Sequence, residues 1–164
     1  MKKIDDLAEG LRQGMRHLAS GVCIVSAGNN ESERAAMTAS SLTSVSDDPA
    51  SLLVCINKSA QIENVLAESA YFSVNILSSE QQTLSDLCAT PGLNEERFEQ
   101  GNWQQHESSG LYILPESPAV FICSVQVSIE HGTHNIYVAN VEAAYVSDKK
   151  HQALVYADGK YHYL

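Results

Sequence analysis

The sequence is poor in positive charge. Its 164 residues include 10 lysines and arginines against 20 aspartates and glutamates, which gives a formal net charge of −10. Binding to a nucleic acid duplex needs several lysine or arginine contacts to phosphates, and a surface this negative repels a phosphate backbone. We therefore expect no nucleic acid partner, and we expect any anionic ligand to be held by a local group of donors.

Long hydrophobic runs are also missing. The longest apolar runs are as short as the segment 52–56, whereas a membrane-spanning helix needs roughly 18 consecutive apolar residues. Lys2 and Lys3 resemble the start of a signal peptide, but the acidic segment 4–9 follows where an apolar stretch is required. We expect no membrane association and a cytoplasmic location.

Closely spaced cysteines are absent as well. The four cysteines lie more than thirty residues apart, which fits neither a CxxC zinc site nor a short disulfide scaffold. Three of them occur in apolar, strand-like runs, where a free thiol is typically a small buried hydrophobic group. The sequence therefore indicates a reduced protein with free cysteines at positions 23, 55, 88 and 123.

The familiar phosphate-binding and hydrolase motifs do not occur. There is no Walker, GxGxxG or GxSxG pattern. His131 and His134 have the spacing of metal ligands, but no third ligand accompanies them, whereas catalytic zinc needs three protein ligands. We expect no metal site.

The apolar pattern predicts a mainly β (α+β) protein. Apolar residues at three- and four-residue intervals predict helices over 4–18, 61–68 and 79–89, and we expect the first of these to cover the body of the protein. No repeat or linker divides the chain, so we expect one domain over 1–164. Runs rich in β-branched residues predict strands at 22–27, 34–37, 52–56, 71–76, 119–130 and 136–146.

The last predicted strand contains an irregularity. The apolar positions step by three between Val138 and Val141, which shifts the apolar face as a β-bulge does. Bulges are common at barrel corners, and at least six short strands with few helices favour an antiparallel barrel. We expect a split β-barrel with flanking helices.

Hydroxyl side chains are concentrated in the segment 38–46, where they occupy six of nine positions. Hydroxyls and nearby loop amides are donors that suit a phosphate or a carbonyl-rich ring system. The same composition is typical of a polar turn that satisfies its own backbone. Both interpretations stay open at this point.

A second candidate is Asn57-Lys58-Ser59, which places a cation and two donors between a predicted strand and a predicted helix. Helix N-termini attract anions. Alternatively, Ser59 is the helix N-cap and Lys58 a solvated charge. The two candidate segments flank the strand 52–56, so they face each other only if a chain crossing brings them together.

Taken in order, these segments resemble the flavin reductases of the split-barrel flavin-binding fold. These are small components that supply reduced flavin to two-component monooxygenases. The resemblance spans almost the whole chain and is carried by 15–22, 37–46 with Pro49, 57–59, 72–77, 96–98, Gly132, His134 and 154–161.

The resemblance implies a set of flavin contacts. The loop Thr38-Ala39-Ser40-Ser41 corresponds to the one that lines the isoalloxazine and ribityl chain, and Asn57-Lys58-Ser59 to the one that holds the phosphate of FMN or FAD. The resemblance also places four further residues in the cofactor site: Met37, Ser46, Arg97 and Phe98.

It further implies a nicotinamide site. Gly132-Thr133-His134 corresponds to the family's Gly-Asp-His turn, so His134 is expected to position NADH or NADPH without a covalent role. Thr133 stands in place of the aspartate, and Ala139 stands where the family tends to have glycine.

The resemblance implies an NAD(P)H-dependent reductase that transfers hydride to FMN or FAD. It implies a homodimer with flavin at the subunit interface, and a partner monooxygenase. Two alternatives stay open: a flavin-binding protein of this fold without reductase activity, and a ligand-free interaction module on the same fold.

Overall fold

The computed structural model describes residues 2–164. A short 3₁₀ turn at Ser79–Gln81 leads into the third helix. The helices are α1 (Leu7–Met15), α2 (Gln61–Glu68), α3 (Gln82–Ala89) and α4 (Asn94–Glu99). The strands are β1 (Ser20–Gly21), β2 (Cys23–Ala27), β3 (Ala35–Ala39), β4 (Thr43–Asp47), β5 (Ala50–Asn57), β6 (Tyr71–Ile76), β7 (Gln104–Gln105), β8 (Tyr112–Ile113), β9 (Ala119–His131), β10 (His134–Val146), β11 (Leu154–Ala157) and β12 (Lys160–Tyr163).

Seven strands form one antiparallel sheet in the order β3-β2-β6-β9-β10-β5-β4. A smaller sheet has the order β1-β11-β12, and β7 pairs with β8. The two edge strands of the large sheet are joined by only the residues 40–42, and β3 also contacts β5, so the sheet curls back on itself. The predicted fold class, mainly β and antiparallel with flanking helices, is confirmed.

The core is built on both faces of β2, all of whose residues are buried. On one face, Val25 belongs to a cluster that packs the sheet against α2. On the other face, Ile24 belongs to a cluster that contains Leu84 of α3 and Phe98 of α4. A central strand covered on both sides reads as a continuous apolar run, which is why 22–27 was recognisable in the sequence.

The β9–β10 ladder has a register shift at the predicted position, but its extra residue lies on β9 and not on β10 as predicted. Val138 lies opposite Val127, but Ala139 lies opposite Val125, so one residue of β9 is skipped. A second shift follows between Val141 and Ala143 on β10. Such shifts bend a strand and increase its twist, which helps the sheet to curl.

The expectation that the N-terminal helix covers the body of the protein is wrong within this chain. Helix α1 is shorter than predicted, with Asp6 as its N-cap, and none of its residues is buried. Its apolar stripe faces away from the described core, so that Leu7 is 81% exposed and Met15 52% exposed. The periodicity identified an amphipathic helix, but it carries no information about which surface the stripe contacts.

The other predicted elements agree with the structure to within a few residues, and α2 and β6 have the predicted bounds. The edge strand β4 was missed because its residues are all exposed and polar at most positions. Within residues 2–164, no helix is both long and apolar enough to cross a membrane.

Candidate functional site

The hydroxyl-rich loop runs alongside the second half of β5. The pairing of β4 with β5 extends only as far as Thr43 and Leu53. The β5 residues beyond Leu53 therefore have no β4 partner on that edge. Ser41 supplies a partner there, because its hydroxyl donates to the Cys55 carbonyl oxygen at 3.0 Å and accepts from the Cys55 amide at 3.1 Å. This turn back from β3 is the crossing that brings the two candidate segments together.

The other hydroxyls of the segment have different partners. Thr38 donates to the Ser85 carbonyl oxygen of α3 at 2.6 Å. Ser46 bonds both backbone groups of Asp48 in the turn before Pro49, at the opposite end of β5 from Asn57. The polar-turn interpretation is therefore confirmed for part of the segment. Ser40 is exposed, and its side chain makes no hydrogen bond to any residue in 2–164.

The end of β5 leads into an uncapped helix. Asn57 Oδ1 accepts hydrogen bonds from the amide and the hydroxyl of Ser59, both at 2.9 Å. The N-cap of α2 is Ala60, which provides no side-chain acceptor, so the alternative that Ser59 is the N-cap is wrong. Alanine is a poor N-cap. The Ala60 and Glu63 amides donate to the carbonyl oxygens of Asn57 and Ala60, and the Gln61 and Ile62 amides are left as donors with a partial positive charge. This is an arrangement that suits an anion.

Lys58 is not a free cation. Its ammonium group forms an ion pair with the carboxylate of Glu130, near the end of β9, and its side chain is 32% exposed. The hydrogen bond and the positive charge of Lys58 lower the pKa of Glu130. An anion that binds Lys58 must therefore share it with Glu130 or displace Glu130.

His134 lies on the neighbouring strand at the same end of the sheet. It is the first residue of β10 and pairs with Asn57 of β5. The Lys58 amide donates to the Thr133 carbonyl oxygen at 3.0 Å, which ties the β9–β10 hairpin to the segment that holds the candidate anion donors. Thr133 Oγ1 lies 2.9 Å from His134 Nδ1, so the residue that stands in place of the family's aspartate contacts the histidine ring through its hydroxyl.

A buried polar cluster sets the position of α2 relative to β10. Glu63 Oε1, in the first turn of α2, accepts from the Tyr137 hydroxyl at 2.7 Å and from Asn135. Burial and the neighbouring carboxylate raise the pKa of Tyr137 to about 12. The start of α2 and the start of β10 are thereby joined, although 72 residues separate Glu63 from Asn135 along the chain.

Two predicted cofactor residues lie behind β3. Arg97 is buried and donates to the carbonyl oxygens of Ala36 at 2.7 Å, Leu87 at 3.4 Å and Thr90. Phe98 packs 5.0 Å from the ring of Trp103. These contacts tie α4 to α3 and β3.

The structure therefore brings part of the predicted set together. Thr38 to Ser41, Asn57 to Ser59 and His134 share one end of the sheet. Within this group the side chain of Ala39 is buried, and the neighbouring Met37 is half-buried against the core. Ser46, Arg97 and Phe98 lie elsewhere, and their contact with a cofactor stays a prediction.

Sequence reasoning missed Glu130 and Glu63. Glu130 is far in sequence from Lys58, and Glu63 is far from Tyr137. The pairing of β9, β10 and β5 makes them neighbours. No spacing signal exists that would identify them. It also missed a cavity of about 590 Å³ beside Thr38 and Ser40, whose opposite wall is the β11–β12 hairpin.

Residues 15–164 match the model of the flavin reductase like domain. The chain belongs to this family. The reductase component of the FADH(2)-dependent resorcinol hydroxylase of Rhizobium sp. (strain MTP-10005) is 33% identical over 158 residues, covering 96% of this chain and 87% of the relative. The FMN reductase (NADH) RutF of Pseudomonas syringae pv. syringae (strain B728a) is 35% identical over 157 residues, covering 93% and 84%.

The fold also matches a solved oxidoreductase structure. The NADH:FAD oxidoreductase SgcE6 of Streptomyces globisporus C-1027, in complex with NAD and FAD fragments, has a TM-score of 0.89 to this chain at 26% identity. The match covers 99% of this chain and 96% of that one. The family resemblance inferred from the sequence is confirmed.

The residues at the strand ends fit a flavin. The exposed Ser40 hydroxyl and the loop 40–42 offer donors to a ring rich in carbonyl groups. Lys58 and the amides at the uncapped start of α2 offer donors to a phosphate, and Ser59 can add its hydroxyl if that group turns away from Asn57. The two donor sets are joined by the Ser41 bridge to β5, so one ligand can contact both.

Proposed function

We propose that the protein is an NADH- or NADPH-dependent flavin reductase that transfers hydride to FMN or FAD and supplies reduced flavin to a partner monooxygenase. The observation that carries the proposal is the meeting of three features at one end of the sheet. These are the hydroxyl loop, the uncapped α2 start with Lys58, and the hairpin that bears His134. On a protein of net charge −10, such a donor cluster is the place where an anionic cofactor binds.

The residues of this chain bind the flavin and orient the nicotinamide. Ser40 and the loop amides hold the ring and ribityl chain. Lys58 and the free amides at the start of α2 hold the phosphate, together with Ser59 once its hydroxyl turns away from Asn57. The bound flavin supplies the redox chemistry by accepting a hydride from the nicotinamide ring, and no protein nucleophile is needed. His134 contributes by positioning the nicotinamide, with its ring held by Thr133.

The relatives support the choice of cofactors. The reductase component from Rhizobium serves an FADH(2)-dependent hydroxylase, RutF is an FMN reductase that uses NADH, and SgcE6 was solved with NAD and FAD fragments. A partner oxygenase is supported by the first of these names. The function proposed for this chain places it in the cytoplasm, where NADH and NADPH are available.

We also propose that the protein is a homodimer. The apolar stripe of α1 is exposed, with no buried residue, and Val127 and Ile129 expose further apolar surface on the hairpin next to His134. A second copy that covers these surfaces removes them from water, which favours association. Light scattering is expected to give about twice 17.8 kDa, and a constant value near 17.8 kDa would contradict the dimer.

The deciding experiment is NADH and NADPH oxidation by the purified protein with FMN, with FAD and without flavin. Flavin-stimulated oxidation is the expected result. Thermal unfolding with each flavin separates the alternatives, because a ligand that binds only the folded state stabilises it by about 2.7 kcal/mol at a hundredfold excess over Kd. A shift without turnover indicates a non-reductase flavoprotein, and no shift at millimolar flavin removes both flavin functions.

A further inference from the structure

The cavity beside Thr38 and Ser40 has an aromatic wall. Its volume is about 590 Å³, and its far side is formed by the β11–β12 hairpin. Three tyrosines of this hairpin line it: Tyr156, Tyr161 and Tyr163. Nothing in the flavin contacts described above uses these rings, although the cavity opens directly from the hydroxyl loop.

The aromatic wall is anchored to the same helix as the hydroxyl loop. The Tyr161 hydroxyl lies 2.8 Å from Ser85 Oγ, and Thr38 donates to the carbonyl oxygen of this same serine. Tyr163 bonds Gln82, one turn earlier in α3. Tyr156 packs edge-on against Tyr161, with ring centroids 5.3 Å apart, and is itself 40% exposed. The rings are thus held in place while Tyr156 and Tyr163 keep accessible surface.

The cavity also contains an unpaired cation. Lys160, in the strand β12, is its lining lysine, and within residues 2–164 this lysine forms no ion pair. Lys58 differs, because it is paired with Glu130. Among the described lining residues the one carboxylate is Asp86, which can accept hydrogen bonds from ribose hydroxyls or from an exocyclic amine.

Aromatic rings beside an unpaired lysine suit a ligand in which a nucleobase lies close to a phosphate. Bases stack on aromatic side chains, and an ammonium group forms charge-assisted hydrogen bonds with phosphate oxygens. The isoalloxazine ring alone does not match this pair of features, because its phosphate lies at the far end of the ribityl chain. An adenosine phosphate has both features within one unit.

We propose that this cavity binds the adenylate half of a dinucleotide, with the base against Tyr156 and Tyr163 and a phosphate at Lys160. The inference rests on the proposed function, since it extends the flavin and nicotinamide site through Thr38 and Ser40. The adenylate unit has two possible sources. One is NADH. The other is FAD folded so that its adenylate lies beside its own ring, because the phosphate placed at Lys58 is at the far end of the ribityl chain from Ser40.

The direct test is titration with ADP by isothermal calorimetry. We expect Tyr156→Leu and Lys160→Gln each to weaken the Kd for ADP on the order of tenfold. Tyr156→Phe keeps the ring and is expected to bind ADP as the unaltered protein does. The matched controls are Tyr71→Leu, at a tyrosine that is 48% exposed on β6, and Lys150→Gln, at an exposed loop position. Both are expected to leave the Kd within about twofold.

Two further arms identify the source of the adenylate. If it is FAD, Tyr156→Leu weakens binding of FAD about tenfold and leaves FMN unchanged. If it is NADH, the same variant raises KM for NADH but not for reduced nicotinamide mononucleotide. Equal weakening of FMN and FAD would show that the cavity takes the flavin ring and would overturn the proposal.

Failure of this inference is separable from failure of the proposed function. If the unaltered protein does not bind ADP at millimolar concentration, or if the two variants bind it unchanged, the adenylate site is overturned whether or not flavin is reduced. Absence of flavin-stimulated NADH and NADPH oxidation overturns the proposed function, while the ADP titration still decides whether the cavity binds an adenylate.

Discussion

Replacing Glu130 by glutamine should strengthen FMN binding, because Glu130 occupies the ammonium group that the flavin phosphate needs. Lys58 and Glu130 form an ion pair in which the glutamate side chain is 76% exposed. Exposed pairs of this kind are weak, so a phosphate can displace the carboxylate at little cost. Glutamine keeps the size of the side chain and removes its charge, and we expect FMN to bind about two- to fivefold more tightly.

The opposite change comes from Lys58→Ala. A charge-assisted hydrogen bond contributes about 1.5 to 3 kcal/mol, which corresponds to a ten- to hundredfold weaker Kd for FMN. The donors at the start of α2 remain in this variant, so binding is reduced rather than abolished. Because Lys58 is partly exposed, the loss should shrink as salt rises from about 0.01 M, where the Debye length is about 30 Å, to about 0.15 M, where it is about 8 Å.

Quenching of flavin fluorescence measures both Kd values, and riboflavin is the matched ligand control. Riboflavin has the same ring and ribityl chain but no phosphate, so neither substitution should change its Kd by more than about twofold. Glu107→Gln, at another exposed glutamate, is the matched variant control. The reasoning is refuted if Lys58→Ala weakens riboflavin as much as FMN, or if Glu130→Gln weakens FMN, since the ion pair would then order Lys58 instead of competing for it.

The remaining predictions concern other parts of the molecule. His134→Ala should lower kcat/KM for NADH or NADPH while leaving the flavin Kd within about threefold, because a positioning residue acts on the transition state; a tenfold weaker flavin Kd would remove this division of roles. Tyr137→Phe should destabilise the fold by about 1 to 2 kcal/mol in urea unfolding, since it removes the hydrogen bond that the Tyr137 hydroxyl donates to the Glu63 carboxylate, while Tyr71→Phe should have no effect. A thiol reagent at pH 8 should leave three cysteines unmodified until the protein unfolds, because burial raises their pKa to about 12 and thereby suppresses the thiolate; rapid labelling of all four in the folded protein would contradict the burial. These three are Cys23, Cys88 and Cys123.

The sequence by itself determined most of the local structure. The bounds of α2 and β6 and the long hairpin of β9 and β10 follow from the spacing of apolar residues. This spacing reports which side of a helix or strand avoids water, and that property belongs to a few consecutive residues. The ordered set of short motifs was also sufficient to indicate the family, which the match over residues 15–164 then established.

The tertiary structure decided how the polar residues are used. Composition could not separate Ser41, which bridges to β5, from Ser40, which has no partner in residues 2–164, because the two differ only in which strand edge they face. It could not find Glu130 beside Lys58 or show that the stripe of α1 is exposed. Such contacts depend on the register between strands far apart in the chain, and side-chain periodicity constrains the face of each strand without specifying its neighbour.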